Sequence, residues 1–265
     1  MSDVLYLYGF VPADAPVPPA TLRGIDDAPV DRVPAGELGA VVSRVAGDAY
    51  TAARIEAGLE DLAWVAERGL AHERVVAWFV DAGEILPAPL FTLYSSRAAL
   101  DAGLAGRAAE LRAELRRLAG RREWDLKVSY RRDQLEQHAG EVSEEVRALD
   151  QEIAAAAPGR RFLLERKRSE VVKRELSAAA HRVAEQLLAE LRPLADEVAP
   201  LAPPRDAAEL PVLLAAALLL RREQEEGVRQ AVAERGESLG PLGFTVTVTG
   251  PWAPYRFIEP AATGV

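Results

Sequence analysis

Between Glu123 and Arg131 the chain alternates, with Trp124, Leu126, Val128 and Tyr130 on one side and charged or small polar residues on the other. A period of two sends successive side chains to opposite faces, so this stretch reads as a half-buried strand. It fixes the start of a pattern that runs to the end of the sequence. Leu135 to Ala157 reads as helix, broken by Pro158-Gly159. A second helix is predicted from about Arg161 to Arg192, with Val172, Leu176, Ala179, Val183, Leu187 and Leu191 on one stripe, and it stops before Pro193. Glu197 to Leu201 reads as a strand and Pro203-Pro204 as a turn. Val212 to Leu220 is apolar all round: its Ala and Leu content favours helix, its length suits a buried strand, and periodicity leaves both open. A polar helix follows over Arg221 to Glu237, then Gly240 and Gly243 bracket the turn into an alternating run, Phe244 to Thr249. Strand, helix pair, strand, strand, helix, strand is the order of a ferredoxin-like split βαβ plan with its first helix doubled.

The first half also mixes strands and helices. Val4 to Phe10 reads as a buried opening strand, Pro12 to Pro19 as a loop, and Val30 to Val33 as a short extended piece ending at Pro34. Leu38 to Val45 is rich in β-branched residues and is expected to pair with the opening strand, with Gly39 marking a bulge or a close neighbour. Thr51 to Val80 reads as helix, interrupted at Gly69, with Leu59, Leu62, Val65, Ala66 and Leu70 on one apolar face that Val75, Val76 and Phe79 continue. Pro87 and Pro89 hold Ile85 to Thr92 extended. Ser95 or Ser96 then caps a long helix ending near Gly120. The expected fold class is α+β in two domains: residues 1–120, and residues 121–265 as a modified ferredoxin-like fold with long helices that also carries the proline–aromatic tail.

The chemistry-bearing residues are sparse. The chain of 265 residues has 41 acidic and 32 basic side chains, a net charge of −9, and no cysteine. The charge opposes phosphate at long range, so no nucleic-acid partner is expected. Disulfides, thiolate zinc sites and cysteine nucleophiles are excluded. Met1-Ser2-Asp3-Val4 lacks the basic and apolar regions of a secretory signal, and the longest apolar run, Val212 to Leu220, is too short to span a bilayer. Cytoplasmic residence without membrane insertion is the expectation. His72, His138 and His181 stand apart; His72-Glu73 opens like a zincin motif, but Val76 holds the second ligand position. No phosphate-binding glycine loop or Gly-x-Ser-x-Gly elbow is present. Pairs such as Glu110 and Glu114, or Glu141 and Glu145, are spaced for one solvated helix face. A local basic cluster, Arg160, Arg161, Arg166, Lys167, Arg168, Lys173 and Arg174, has only Phe162 beside it and fits an acidic partner, or the chain's own acidic helix, better than a nucleic-acid groove. No enzyme activity, metal or cofactor is expected.

The tail, Gly250-Pro251-Trp252-Ala253-Pro254-Tyr255-Arg256-Phe257, sets three aromatics among two prolines, which bar it from continuing a sheet or a helix. It resembles the Gly-Pro-Trp-Pro-Pro-Tyr-Ser-Phe ending of the gas vesicle protein GvpF/GvpL family. Leu5-Tyr6-Leu7-Tyr8-Gly9, Leu38-Gly39-Ala40-Val41-Val42-Ser43, His72-Glu73, Glu123-Trp124-Asp125-Leu126-Lys127-Val128 and Gly159 to Lys167 resemble further family blocks, in the family's order. Leu86-Pro87-Ala88-Pro89-Leu90-Phe91-Thr92 departs from the family's Leu-Pro-x-Arg-Phe-Gly-Thr by losing its arginine and glycine.

The resemblance implies an accessory or minor structural protein of gas vesicles, built from two α+β domains, that contacts the very hydrophobic shell protein GvpA and other gas vesicle accessory proteins. A shell subunit with a gas-facing apolar side needs shielding before it polymerises. A groove for it would draw on Trp252, Tyr255, Phe257, Leu90, Phe91 and Trp124, side chains that otherwise build the protein's own core. The tail itself is expected to pack back onto the ferredoxin-like domain. The rival reading is a regulatory module diverged from that family that binds a small molecule, with Leu86 to Thr92 lining the pocket.

Overall fold

The computed structural model describes residues 3–202 and 210–258; the Pro203-Pro204 turn and the residues after Ile258 lie outside them. The chain forms two units, one made of residues up to Glu123 together with those from Pro251 onward, the other of Trp124–Gly250. Both combine a sheet with helices, the α+β class read from the sequence.

The first unit is organised on β1 (Asp3–Pro12), whose residues Leu5 to Val11 are all buried. It pairs antiparallel with β3 (Leu38–Ala46), which pairs in turn with β2 (Asp31–Ala35). The register shifts between Leu7 and Gly9, a local irregularity in β1. Gly39 is the close neighbour expected of it: a Cβ there would lie 2.9 Å from Val11 Cγ2. Helices α1 (Ala52–Leu59) and α2 (Leu62–Ala82) follow. Then β4 (Leu86–Pro87) and β5 (Leu93–Tyr94) both pair with β1, and the sheet runs β2-β3-β1-β4. Only Leu86–Pro87 of the stretch expected to be extended joins the sheet, and Leu90-Phe91 make a turn. Ser96 caps α3 (Arg97–Leu104) by accepting from the Ala99 N–H at 3.1 Å. The expected single helix breaks at Ala105 to Arg107, where Gly106 takes φ +85°, and resumes as α4 (Ala108–Leu118).

The helix break expected at Gly69 falls instead at Glu60-Asp61. Asp61 accepts from the Ala63 N–H at 2.9 Å and the Trp64 N–H at 3.3 Å, which starts α2 afresh. Gly69 sits within an uninterrupted helix. The leucine face points outward: Leu62 is 84 % exposed and Leu59 58 %. The inward line is a second stripe, Trp64, Arg68, His72, Val75 and Phe79, at steps of four, four, three and four. Val75, Val76 and Phe79 pack with Tyr6, Tyr8, Val41 and Val45 in the core.

In the second unit β6 (Arg121–Tyr130) buries Trp124, Leu126, Val128 and Tyr130, as its alternation requires. The helix expected over Leu135 to Ala157 is three: α5 (Arg132–Gln137), α6 (Ala139–Val142) and α7 (Glu144–Ala155), the last capped by Ser143. Pro158 is the first residue of α8 (Pro158–Leu191), a position that needs no N–H. β7 (Glu197–Leu201) and β8 (Val212–Arg221) pair antiparallel. α9 (Arg222–Leu239) and β9 (Phe244–Trp252) complete the unit's elements. The strand order is β7-β8-β6-β9. β8 lies inside it, so its all-round apolarity belongs to a strand buried on both faces. The element sequence β-α-β-β-α-β with this order is consistent with the plan expected from the sequence.

Two expectations about the tail are corrected. Pro251 does not stop the strand: β9 is at the edge of the sheet and runs through Trp252, a place where a missing N–H is tolerated. Residues 251–258 group with the first unit, where the sequence placed them in the second. Among the described residues no helix is long and apolar enough to cross a membrane.

The two stripes of α2 make opposite demands on stability. Phe79→Ala empties a fully buried site and lowers the unfolding free energy by about 3–5 kcal/mol, whereas Leu62→Ala changes it by less than about 0.5 kcal/mol. Urea denaturation of both variants checks the assignment; equal losses would return the leucines to the core.

Candidate partner-binding groove

Alternation along β1 puts Tyr6 and Tyr8 on one buried face, their rings 4.9 Å apart. The Phe91 N–H donates to the Tyr6 hydroxyl at 3.3 Å, and that hydroxyl lies 2.8 Å from His72 Nδ1. With one proton to give, Tyr6 donates it to Nδ1 of a neutral His72, whose buried Nε2 is left without a hydrogen-bond partner among the described residues. Burial holds the His72 ring down to about 4 from its ordinary 6.5, the Ala88 carbonyl offsetting part of the shift. Burial also raises the Tyr6 phenol. Tyr8 donates to Ser43 Oγ at 2.9 Å and accepts from the Ile25 N–H at 2.8 Å. Gly24 permits this approach, since a Cβ there would stand 1.9 Å from the Tyr8 hydroxyl.

A second network lies beside the first. Tyr50 donates to Asp26 at 2.6 Å, Arg68 donates to the same carboxylate at 2.9 Å, and the Arg68 guanidinium sits 4.2 Å over the Trp64 ring. Trp64 stacks on Phe91 with centroids 5.1 Å apart. Asp26, at φ +51°, and Phe91, at φ +64°, both hold left-handed backbone that non-glycine residues rarely adopt. Here a phenyl ring accepts that backbone and makes its ring contact with Trp64.

The tail closes the site. Tyr255 donates to Glu73 at 2.6 Å. Burial and then the Glu73 charge raise the Tyr255 phenol, so it stays a donor. The Arg256 N–H donates to Glu123 at 3.0 Å, the Arg256 guanidinium pairs with the same carboxylate, and Arg117 donates to the Phe257 carbonyl. Between tail, α2 and the Pro89-Leu90 turn lies a groove of about 420 Å³, lined by Gly69, His72, Glu73, Pro89, Leu90, Tyr255 and Arg256. Apart from Glu73 and Arg256, whose charged groups are engaged by Tyr255 and Glu123, it is lined by apolar, aromatic and backbone surface.

Of the six side chains expected to contact a partner, Leu90 and Tyr255 line this groove. Phe91 is half-buried against Trp64, and Phe257 is buried. Trp252 is 43 % exposed at the end of β9. Trp124 is buried in the core of the second unit. Gly69, Glu73 and Arg256 also line the groove without having been expected at a site, and Pro89 belongs to the Leu86 to Thr92 stretch expected to line a pocket in the rival reading. The four-residue spacing of Trp64, Arg68 and His72 was the signal that could have placed α2's inner edge here. Among the described residues no group of three or more His, Asp or Glu stands close enough to hold a metal ion.

Residues 4–259 match the family described as gas vesicle synthesis protein GvpL/GvpF, and the chain belongs to that family. It is similar to gas vesicle protein L of a Streptomyces species, 29 % identical with 95 % of this chain and 91 % of that protein covered. Gas vesicle protein L2 of Halobacterium salinarum is 28 % identical, with 99 % and 94 % covered. The fold is that of the crystal structure of gas vesicle protein GvpF from Anabaena, with a TM-score of 0.70 at 22 % identity over 97 % of this chain and 99 % of that one. GvpF from Microcystis aeruginosa gives a TM-score of 0.64 at 20 % identity with the same coverage. Family membership supports a gas vesicle accessory role and is consistent with a protein that catalyses no reaction.

The buried His72 makes stability depend on pH. The unfolded chain takes up this proton near pH 6.5 and the folded one only near 4, so the contribution is full above 6.5 and is lost as pH falls to 4. The loss amounts to on the order of 3 kcal/mol. Urea midpoints of wild type and His72→Gln across this window measure it; the wild-type slope is the steeper, and equal slopes would refute the assignment.

Proposed function

We propose that the protein is a non-enzymatic gas vesicle assembly factor that holds the hydrophobic shell subunit, GvpA, through the groove of its first unit. The observation that carries this reading is the apolar groove beside the Pro89-Leu90 turn, with its two charged groups already engaged by partners within the protein. A receptor of this kind accepts an apolar side chain without leaving a buried charge unanswered. Leu90 and Tyr255 make the contact and Trp252 adds to it, while Phe91 and Phe257 hold the walls. Binding an unpolymerised subunit, and other gas vesicle accessory proteins at the remaining surface, keeps the apolar side covered until assembly. The second unit, read as a ferredoxin-like fold with an expanded helical crossing, carries further contacts, and the site of action is the cytoplasm and the growing vesicle.

The volume also falls in the range of small-ligand sites, which is the one feature favouring a regulatory, metabolite-binding reading. Co-purification with the shell subunit decides between them. Leu90→Asp places a charge in the groove and lowers retention of the subunit at least about tenfold, equivalent to 1.4 kcal/mol. Its melting temperature stays near that of wild type. Retention equal to wild type, or a rise in melting temperature with small metabolites and none with the shell subunit, would remove the groove from assembly.

A further inference from the structure

Two exposed patches elsewhere in the chain are complementary in charge and alike in apolar character. The first is the start of α8. Its buried residues begin only at Val171, and α7 reaches back along it through the Arg168–Asp150 and Arg174–Glu145 ion pairs. At the beginning of this helix Phe162 and Leu163 are each 67 % exposed. Arg161, Arg166 and Lys167 flank them and make no ion pair among the described residues. In a chain with nine more acids than bases, cations left without an acid are a local choice. The second patch is the corner between α1 and α2, where Leu59 and Leu62 stand out beside Glu56 and Glu60. Those two carboxylates likewise have no cation among the described residues.

We propose that these patches dock onto each other between copies of this chain, the Phe162–Leu163 start of α8 of one copy seating on the Leu59–Leu62 corner of the next. Each patch is apolar at its centre, and basic side chains outnumber Glu165 and Glu170 around the first while Glu56 and Glu60 flank the second, so the pairing covers four exposed apolar side chains while Arg166 and Lys167 meet Glu56 and Glu60. Two basic patches repel each other, and so do two acidic corners, which leaves head-to-tail contact as the pairing that the charges favour. Such a contact uses different surfaces on the two partners and propagates into a ring or a chain of copies. An anionic bilayer on the first patch would leave the Leu59–Leu62 corner exposed, whereas a second copy covers both patches. The inference is independent of the groove and of the shell subunit.

Sedimentation velocity on the full chain tests it with two surface variants, Phe162→Asp/Leu163→Asp and Leu59→Asp/Leu62→Asp. Because all four side chains are exposed, both variants keep the fold, which circular dichroism verifies. Wild type gains mass with concentration at low salt and loses it as salt screens the charges. Each variant alone stays monomeric. Mixed in equal amounts they form dimers and stop there, because one supplies an intact helix start and the other an intact corner. The proposal is overturned if wild type remains monomeric, if the corner variant associates as wild type does, or if the mixture stays monomeric. Binding of monomeric wild type to phosphatidylserine vesicles, lost in Phe162→Asp/Leu163→Asp, would put a membrane in place of the second copy.

Discussion

Glu123 places its carboxyl group, paired with Arg256, at a site that solvent hardly reaches, with 1 % of the side chain exposed. A carboxylate removed from water must be answered by a cation or by hydrogen bonds, or the fold loses several kcal/mol. Arg256 supplies both, through its backbone N–H and its guanidinium. These contacts bring the last described residues back to the first unit after the second is complete. That return carries Tyr255 to Glu73 and the Phe257 carbonyl to Arg117. Without it the groove would lose one wall, because Tyr255 and Arg256 line it.

The opposite wall depends on strain. Phe91 holds a backbone conformation suited to glycine, a cost of about 1–3 kcal/mol that persists only where surrounding contacts enforce it. Those contacts are the Tyr6 hydroxyl on its N–H and the Trp64 ring on its side chain. The Pro89-Leu90 turn is thereby fixed next to α2, with Leu90 in the groove lining. A strained turn set by a buried hydrogen-bond chain on one side, and a tail anchored by a buried ion pair on the other, make the walls of a preformed groove. Preformation matters for a holding function, since a receptor that needs no ordering gives up less of its binding energy.

Much of this was legible in the sequence and some was not, for identifiable reasons. The alternation of Trp124, Leu126, Val128 and Tyr130 located β6, and the blocks shared with the family located the chain's relatives. Val212 to Leu220 stayed ambiguous because a strand buried on both faces has no period to read; its place between β7 and β6 resolves it. The leucines from Leu59, at the end of α1, to Leu70 misled because α2 carries a second stripe besides theirs. The inward one includes Arg68 and His72, whose partners, Asp26 and Tyr6, are far away in sequence. The tail's destination was equally hidden, since a 133-residue separation between Arg256 and Glu123 leaves no local signal. Of the expected partner-contacting residues, chemistry alone could not separate Leu90 and Tyr255, on the groove, from Trp124 and Phe257, in the core.

Membership of the gas vesicle synthesis family and an apolar groove with internally answered charges together favour a protein that holds a hydrophobic partner. Hydrogen–deuterium exchange on the full chain, with and without the purified shell subunit, tests that claim most directly. Added protection concentrated in residues 86–92, 69–73 and 252–257 is the predicted result. Protection absent from those segments while the subunit is bound elsewhere would contradict it.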